Sequence, residues 1–381
     1  MASSGYATYQ VPPTVVLGAG ASRTVAEHAR RLGADRALLV SDEFLVRSGV
    51  AAVTEELLAG AGIPVTVFAG VQPDPTDENV RAGLRAFRAS AAQVVVALGG
   101  GSVLDAAKAI SVLVANPEPL SRYMGYHRIP AAGPPLIAIP TTAGTGSEAT
   151  RVTVIRDVAA DTKMMILDGH LVPTVALVDY ELSLTMPRAL TAHVGVDTLT
   201  HGVEAYVSSA AGPLTDATAL SCVRLVAEHL ERACDAPDDR RARAAMAVAA
   251  CQGGMAFSNA SVCLVHGMSR PLGALFHVPH GLSNAVLLPA VTLFSQAGAP
   301  DRYATIARTM GLAPHELIPG LEALNERLGV PRLRDLPGMT RERFDASLPK
   351  MAADALASGS PARNPVVPSA EEIVDLYREA W

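Results

Sequence analysis

The sequence predicts two domains, an N-terminal α/β domain with a doubly wound, mostly parallel sheet and a C-terminal all-α domain. Its 381 residues exceed what one compact core usually organises. In the first half, short apolar runs alternate with amphipathic stretches, a pattern typical of parallel strands connected by helices. After about Pro187, alanine-rich segments with helical periodicity replace the β-branched runs. We therefore predict an α/β domain over residues 1–186 and a helical domain over residues 187–381.

The individual elements follow from the same patterns. Ser22–Leu32 and Asp77–Ala89 are amphipathic and predict helices, and Pro187 suits the first turn of another. Residues 151–155 and 163–167 flank a polar turn and predict an antiparallel hairpin. The remaining apolar runs predict the parallel strands, at residues 15–17, 37–40, 65–68, 94–98, 136–139 and 176–178.

Composition limits the class of function. A net charge of -6 argues against a nucleic-acid partner, which would need a basic face. No apolar run approaches the roughly 20 residues of a membrane helix, and the N-terminus lacks the basic and apolar regions of a signal peptide. We therefore expect a cytoplasmic protein without a membrane segment. Four cysteines lack zinc-knuckle or CxxC spacing and are expected to be buried free thiols within helices: Cys222, Cys234, Cys251 and Cys263.

Two glycine-rich turns follow predicted strands. The first, Gly18–Ser22, lacks the full GxGxxG spacing, and we interpret it as a tight turn. The second, Gly99–Ser102, leads directly into a helix expected to begin at Ser102, with that serine as its N-cap. Glycine lets backbone N–H groups approach a phosphate, and the helix N-terminus adds a favourable dipole. This turn predicts a phosphate site; a sharp turn without a ligand is the alternative.

Two further segments follow predicted strands and could line the same site. Thr141–Glu148 is rich in hydroxyl groups and lies where a parallel sheet presents its carboxyl edge. Asp42 follows the strand at 37–40. A carboxylate there can accept hydrogen bonds from a ribose diol and would repel a 2′-phosphate, which favours NAD over NADP. By position alone, Asp42 fits a solvated loop residue equally well.

An aspartate and several histidines in the second half form a candidate metal constellation. Asp197 and His201 are four residues apart, so they share one face of a helix. His266 and His280 follow, and with His277 they place three of the ten histidines in one short segment. One carboxylate with three imidazoles suits a divalent first-row metal with an open coordination position. Each piece by itself also fits ordinary packed or surface residues.

Together these motifs resemble those of the iron-containing, or group III, alcohol dehydrogenases. The resemblance covers nearly the whole chain, with the motifs in the family's order. They are Gln72–Thr76, GGGSVLDAAK at 99–108, PTTAGTGSE at 140–148, the DxxxH at 197–201, VHGMSRPLGALFHVPHG at 265–281 and Asn364-Pro. The resemblance implies an N-terminal dinucleotide-binding domain and a C-terminal metal-binding domain.

The resemblance also implies roles for individual residues. The metal would be Fe²⁺, although Zn²⁺ or Mn²⁺ fits the same ligands. Its ligands would be Asp197, His201, His266 and His280. Phe257 would line the substrate pocket, and Asp42 would favour NAD. The other candidate cofactor-binding residues are Gly100, Gly101, Ser102, Asp105, Thr141, Thr142 and Lys163.

One position departs from the family pattern. Many members carry a histidine where this chain has Arg270, and a guanidinium cannot act as an ordinary base. His277 lies nearby and is the alternative proton-transfer residue. Arg270 predicts either a substrate with an anionic tail or a contact with a carboxylate or the cofactor phosphates. It lies four residues after His266, on a helix that Pro271 is expected to end or kink.

The predicted reaction is hydride transfer between NAD and a small primary alcohol or its aldehyde, with the metal as Lewis acid. A lyase like the dehydroquinate synthases would need more basic residues near these motifs. Maleylacetate reductases usually lack the full ligand set, and a degenerate structural metal site is disfavoured because all four ligands are present. The resemblance implies a homo-oligomer, at least a dimer.

Overall fold

The computed structural model describes residues 8–381, which divide into two compact units. One unit is Gln10–Leu184, and the other contains Thr185–Trp381, so the division falls close to the proposed domain boundary. Tyr9, expected in the first domain, belongs instead to the helical unit, where its hydroxyl lies 3.5 Å from Oγ1 of Thr218. No sequence pattern marks this contact, because it joins residues far apart in the chain.

The unit Gln10–Leu184 is built around a parallel six-stranded sheet in the order β1-β9-β6-β4-β2-β3. A smaller sheet, β5-β8-β7, contains the antiparallel pair β7–β8, which confirms the predicted hairpin. The strands are β1 (Thr14–Leu17), β2 (Ala37–Val40), β3 (Val65–Phe68), β4 (Val94–Gly99), β5 (Gly125–Tyr126), β6 (Leu136–Pro140), β7 (Val152–Asp157), β8 (Thr162–Leu167) and β9 (Val175–Val178).

Five helices connect these strands: α1 (Val25–Arg31), α2 (Glu43–Arg47), α3 (Val50–Gly60), α4 (Asp77–Ser90) and α5 (Gly101–Ala115). The central strands are buried on both faces because successive side chains point to opposite sides. Leu38 and Val95 pack in one core cluster, whereas Leu39 and Val96 pack in the other. This arrangement confirms the doubly wound α/β fold. Thr76 begins α4 with a reciprocal capping box to Asn79.

The second unit is helical, and its described residues contain no strand. Pro187 is the N-cap residue of its first helix, next to the predicted first-turn position. Every residue of α6 from Gly195 onward is buried, so this helix lies at the centre of the unit. The helices are α6 (Arg188–Val207), α7 (Pro213–Asp235), α8 (Arg240–Ala260), α9 (Leu264–Phe276), α10 (His280–Ser295), α11 (Pro300–Thr309), α12 (Leu317–Leu328), α13 (Arg341–Ala357) and α14 (Ala370–Glu379).

The four cysteines are buried and free, as predicted. Burial raises the pKa of the Cys222 thiol to about 12, which keeps it protonated. Cys263 precedes α9 as its N-cap residue, so its predicted placement inside a helix is wrong. The reason is a sharp break between α8 and α9, which are bent by 104°. No single helix among residues 8–381 is long and apolar enough to cross a membrane; this bent pair passes on length and composition, as core helices can.

Candidate metal centre and nucleotide site

The candidate nucleotide site lies at the carboxyl edge of the six-stranded sheet. β2 lies between β3 and β4, so the chain proceeds from β2 to one side and resumes at β4 on the other. Such a reversal of strand order opens a crevice at the carboxyl ends of the strands, where open α/β sheets bind ligands. Asp42 follows β2 and Gly100 follows β4, so they lie on the two sides of this reversal.

Close packing requires glycine in the turn after β4. A Cβ on Gly99 would lie 2.5 Å from Cγ2 of Val103, and a Cβ on Gly101 would lie 2.8 Å from Cγ2 of Thr145. Both distances are shorter than real carbon contacts, so larger residues would displace the turn. Only glycine therefore fits at these two positions, and the turn brings the backbone directly to the N-terminus of α5, where a phosphate can bind.

Ser102 does not cap α5, so that prediction is wrong. The helix begins at Gly101, with Gly100 as its N-cap residue, and Ser102 lies inside the first turn. The three glycines form a tight turn, so the helix starts one residue before the predicted position at Ser102. No described side chain caps this helix N-terminus. Its free N–H groups and positive dipole end are suited to an anionic phosphate.

The turn after β6 lies against the glycine turn, as predicted. The backbone N–H of Thr141 donates to the carbonyl of Gly99 at 3.0 Å. The side chain of Thr142 packs over Gly100, where its Cγ2 would lie 3.5 Å from an added Cβ. Both threonines therefore line the loop that the glycines form.

Asp42 has a structural partner as well as its predicted position. It is the N-cap residue of α2, and its Oδ1 accepts a hydrogen bond of 2.8 Å from the backbone N–H of Leu45. The other carboxylate oxygen has no hydrogen bond to any described residue. Asp42 is thus fixed at the end of β2 with one oxygen available to a ligand.

Two other candidate cofactor residues have protein partners. Nζ of Lys163 lies 2.7 Å from Oδ1 of Asp74, in an ion pair that is nearly half exposed. Asp105 accepts hydrogen bonds from the Ser147 hydroxyl at 2.7 Å and from the Val154 backbone at 2.8 Å. Their contacts with a cofactor stay predictions.

Lys108, which the sequence analysis did not single out, is the centre of this buried network. Its Nζ donates to Oγ of Ser147 at 2.9 Å, to Oγ1 of Thr150 at 2.7 Å and to the carbonyl of Val152 at 2.9 Å. We call Asp105, Lys108, Ser147, Glu148 and Thr150 the lysine cluster. It ties α5 to the loop that follows β6.

Burial controls the protonation of the lysine cluster. It lowers the pKa of Lys108 to about 8, although Asp105 and Glu148 favour the charged ammonium. Burial raises the pKa of Glu148 to about 7 and also raises that of Asp105, against the attraction of Lys108. The opposite charges of Lys108 and the two carboxyl groups thus compensate one another inside the protein.

The early glycine turn has its backbone donors occupied. Asp179 accepts hydrogen bonds from the backbone N–H groups of Gly20 and Ser22, each at 3.2 Å, and from the Ser22 hydroxyl at 2.6 Å. Its interpretation as a tight turn is confirmed, since an internal carboxylate takes the place that an anion would need.

The candidate metal centre lies within the helical unit, on α6, α9 and α10. The DxxxH spacing places Asp197 and His201 on one buried face of α6, where Nε2 of His201 lies 3.8 Å from Oδ1 of Asp197. Nε2 of His266, on α9, lies 3.5 Å from the same oxygen. Nε2 of His280, the first residue of α10, lies 3.8 Å from it. Three imidazoles from three helices therefore converge on one carboxylate oxygen.

The four side chains differ in exposure. Asp197, His201 and His266 are buried, and their donor atoms all lie within 4.8 Å of one another. His280 lies outside that compact group, and half of its side chain is exposed. The centre is thus closed on one side and accessible on the side of His280.

Glu204 orients one of the imidazoles and was missed by the sequence analysis. Its Oε2 lies 2.6 Å from Nδ1 of His266, and its Oε1 accepts the backbone N–H of Val265 at 2.6 Å. Because the carboxylate accepts a hydrogen bond from Nδ1–H, the ring is oriented with Nε2 of His266 toward Asp197. Glu204 lies three residues after His201 on α6, so helical spacing offered a signal.

The residues of the candidate metal centre shift one another's pKa values. Burial by itself raises the pKa of Asp197, but His201, His280 and His266 hold it well below its usual range. Burial disfavours the imidazolium of His266, yet Glu204 and Asp197 raise its pKa to about 9. Two buried carboxylates thus face imidazoles, and no described lysine or arginine pairs with Asp197.

A divalent cation fits this arrangement. Ligands bound at about 2.1 Å around a tetrahedral ion lie about 3.4 Å apart. The observed separations from Asp197 are 3.5 to 3.8 Å. Nitrogen and carboxylate donors suit iron, zinc or manganese. A cation would also add positive charge beside this pair of buried carboxylates.

Three further predicted site residues lie on α8 or on α9 and its C-terminal end. Phe257 on α8 stacks on His201, with ring centroids 4.4 Å apart. Nη1 of Arg270 donates to Oγ of Ser360 at 3.0 Å. α9 continues through Pro271, so of the two predicted outcomes, a helix end or a kink, the end does not occur. The helix reaches Phe276, and its C-cap residue, His277, is exposed and left-handed at φ 56°. Such a conformation is costly for a residue other than glycine, and functional sites often contain it.

Comparison with known sequences gives matches to both halves of the chain. Residues 12–180 match the family described as iron-containing alcohol dehydrogenase, and residues 191–381 match the C-terminal family of Fe-containing alcohol dehydrogenases. The chain is 38% identical to a 1,3-propanediol dehydrogenase of Klebsiella pneumoniae, over 98% of each chain. It is 37% identical to the lactaldehyde reductase of Escherichia coli strain K12, over 97% of this chain and 98% of that protein.

Solved structures give the same result. A 1,3-propanediol oxidoreductase is similar with a TM-score of 0.95 and 38% identity, over 99% of this chain and 100% of that one. A sulfoacetaldehyde reductase from Bifidobacterium kashiwanohense, in complex with NAD⁺, is similar with a TM-score of 0.89 and 28% identity, over 98% of both chains.

Proposed function

The chain belongs to the iron-containing alcohol dehydrogenase family, and we propose that Asp197, His201, His266 and His280 hold its catalytic metal. The protein is an NAD-dependent metal oxidoreductase that acts on small alcohols and aldehydes. The observation that supports the ligand set is the convergence of three imidazole Nε2 atoms on one oxygen of Asp197. Fe²⁺ is the proposed ion, because it fits the donors and the family.

A bound cation supplies Lewis acidity to the alcohol or carbonyl oxygen, while NAD accepts or returns the hydride. The protein's own part is orientation. Glu204 fixes the tautomer of His266, and Phe257 supports the ring of His201. His280, half exposed, lies on the side that a small substrate can reach.

On the cofactor side, we propose that Gly100, Gly101 and the N-terminus of α5 bind the pyrophosphate. This is supported by the turn that only glycine fits and by the helix N-terminus without a side-chain cap. Asp42 would hold the ribose diol with its remaining oxygen and discriminate against NADP. The related sulfoacetaldehyde reductase was solved with NAD⁺, which agrees with this choice.

We propose that Arg270 selects substrates with an anionic tail, such as short ω-oxo acids. Arg270 is one helical turn from His266 and is not fully buried. A guanidinium matches carboxylate or sulfonate geometry with two parallel hydrogen bonds. A relative named for sulfoacetaldehyde is consistent with an anionic substrate. His277 is the proposed proton-transfer residue, since guanidinium cannot serve.

Arg270→Ala tests the substrate proposal. We expect kcat/KM to fall for a charged aldehyde by a factor that corresponds to a loss of about 2–5 kcal/mol in transition-state stabilisation, because one partner of a charge pair is removed. The loss for propanal should be much smaller. A raised KM for NADH with every substrate would assign Arg270 to the cofactor instead. Equal losses for the neutral and charged aldehydes would contradict the proposal.

The overall proposal is tested by loading the full chain with Fe²⁺, Zn²⁺ or Mn²⁺ and measuring NADH oxidation with a panel of aldehydes. We expect activity that needs the metal and prefers NADH to NADPH. Turnover of a phosphorylated carbocycle without net NADH consumption would indicate the lyase alternative. Preference for maleylacetate would indicate the reductase alternative.

We also propose that the protein acts in the cytoplasm as a homo-oligomer. Four free buried thiols agree with a reducing compartment. Light scattering after size exclusion would test the oligomeric state, and a monomeric mass would contradict it.

A further inference from the structure

The loop after β6 contains no helix or strand between Thr141 and Gly146, although it forms one wall of the proposed cofactor site. Its first residue is held by the backbone hydrogen bond to Gly99. Its far end meets α5 at Thr145, whose Oγ1 would lie 3.0 Å from a Cβ on Gly101. Because Gly101 is the first residue of α5, Thr145 bounds the space that a phosphate has at this helix N-terminus.

Ser147 connects this end of the loop to α5. Its backbone N–H donates to Oγ1 of Thr145 at 3.2 Å. Its Oγ accepts from Nζ of Lys108 at 2.9 Å and donates to Oδ1 of Asp105 at 2.7 Å. An ammonium can only donate, so the hydroxyl hydrogen of Ser147 is left for the carboxylate. The hydroxyl is therefore fixed between the two ionisable groups of the helix.

The spacing on α5 explains how one serine reaches both groups. Gly101, Asp105 and Lys108 lie four and three residues apart, so they follow one another along one face of the helix. The loop runs along that face, with Thr145 at the glycine and Ser147 at the two ionisable side chains. Ser147 is buried, so water has little access to replace these partners. A displacement of Ser147 would therefore also displace Thr145 at the helix N-terminus.

We propose that Ser147 is a positioning residue of the cofactor site, which holds the loop at Thr145 against the N-terminus of α5 and thereby strengthens binding of the dinucleotide's pyrophosphate. The inference rests on the proposed pyrophosphate site. Hydrogen bonds that fix the groups around a ligand in advance strengthen its binding, because less order must be created when the ligand arrives. In this role Ser147 acts through the loop and not by contact with the cofactor.

The test measures equilibrium binding of NADH and of ADP-ribose, which both carry the pyrophosphate, to the full chain. Ser147→Ala removes the hydroxyl. Lys108 keeps its two other acceptors, and Asp105 keeps the N–H group of Val154, so the chain should still fold. We expect both dissociation constants to rise about tenfold. The kcat with propanal at saturating NADH should stay nearly unchanged, because ground state and transition state lose the same binding.

Ser111→Ala is the matched control. Ser111 lies on α5 and is buried to the same extent as Ser147, with 5% of each residue exposed. Its hydroxyl donates to the carbonyl of Pro134 at 2.8 Å, outside the loop. Loss of a buried hydroxyl should therefore destabilise both variants similarly, whereas only Ser147→Ala should weaken NADH binding. Equal dissociation constants for the two variants would overturn the proposal.

Thr145→Val tests the connection from the side of the loop. It removes the oxygen that accepts the Ser147 N–H at nearly unchanged volume, so both dissociation constants should rise as in Ser147→Ala. The double variant should bind more weakly by less than the product of the two single effects, because both changes break one connection. A full product would show that the residues act independently, which overturns the proposal. If Ser147→Ala does not unfold cooperatively, unchanged NADH binding in Thr145→Val overturns it instead.

Two results distinguish this inference from the cofactor site itself. Gly101→Val should block the site directly, because a Cβ there would lie 2.8 Å from Cγ2 of Thr145. If the unmodified chain binds neither NADH nor ADP-ribose, or if Gly101→Val binds both as tightly, the proposed pyrophosphate site is wrong and the inference is overturned with it. If the unmodified chain binds both, and Gly101→Val weakens this binding but Ser147→Ala does not, only the role of Ser147 is wrong.

Discussion

The two units each bury a polar cluster, and the clusters differ in the source of their positive charge. In the lysine cluster, Nζ of Lys108 lies among hydroxyl and carbonyl acceptors, near Asp105 and Glu148. In the histidine cluster of Asp197, His201, Glu204, His266 and Asn284, two carboxylates face imidazoles and an amide.

The difference in positive charge indicates a structural role for one cluster and metal binding for the other. An ammonium that donates to three acceptors completes the lysine cluster with groups of the chain alone, so this cluster ties a helix to a loop. The histidine cluster is held together by neutral donors or protons, which a divalent cation can replace. We therefore expect the lysine cluster to determine stability and the histidine cluster to determine metal content.

The largest effect is expected from His280→Ala. Loss of a ligand should remove the metal and lower kcat/KM about 10³-fold, because Lewis-acid stabilisation is worth several kcal/mol. The fold should persist, since half of this side chain is exposed. Elemental analysis and steady-state kinetics measure the two effects. His229→Ala, which contacts only Glu228 among the described charged groups, is the control. Full metal occupancy in His280→Ala would contradict the ligand assignment.

Lys108→Met should act on stability instead. Removing the buried ammonium leaves Asp105 without its cation, and we expect the free energy of unfolding to fall by about 3–5 kcal/mol. Lys163→Met, which breaks a half-exposed ion pair with Asp74, should cost no more than about 1 kcal/mol. Urea denaturation compares the two variants, and metal content should not change. Metal loss in a folded Lys108→Met protein would contradict the separate roles assigned to the two clusters.

Glu148→Gln should change how stability depends on pH. The folded-state pKa of Glu148 is raised from 4.5 to about 7, so the folded protein holds a proton that the unfolded chain loses. This contribution is fully present below pH 4.5 and is lost as pH rises through 7. Between pH 4.5 and 7, the free energy of unfolding of the unmodified protein should decline by up to about 1.4 kcal/mol per pH unit. The variant should lack this decline. Parallel unfolding profiles for both proteins would contradict the assignment.

Asp42→Gly should give the smallest effect, confined to cofactor choice. Removing a partly exposed carboxylate should improve NADP use relative to NAD about tenfold, since a screened like charge costs about 1.4 kcal/mol. Metal content should stay the same. Glu43→Gly, next in sequence and exposed, is the control for nearby charge. If the unmodified enzyme already prefers NADP, the proposed role of Asp42 is wrong.

Much of the fold could be predicted because its signals are local. The six parallel strands and the hairpin follow from apolar runs and their alternation, and each was placed within a residue or two. The error at Ser102 is local too. Three glycines made a tighter turn than the serine suggested, so α5 starts at Gly101.

The ligand set could be proposed because the DxxxH spacing and the histidine-rich segment are patterns in the chain. Their partners could not be identified in the same way. Glu204 meets His266 across 62 positions, and Asn284 meets Asp197 across 87 positions. Helical spacing after His201 and His280 hinted at both residues, but only packed helices show which side chains converge.

The sequence by itself determined the order of elements, the family and the residues with metal-binding chemistry, because periodicity and motifs depend on neighbouring residues. The tertiary structure decided which groups satisfy one another. It paired Asp105 and Lys108 with the loop after β6, gave Glu204 to His266, and turned the amide of Asn284 toward Asp197. Such choices depend on burial, where each donor needs an acceptor within reach, and burial is known only once the helices and strands have packed.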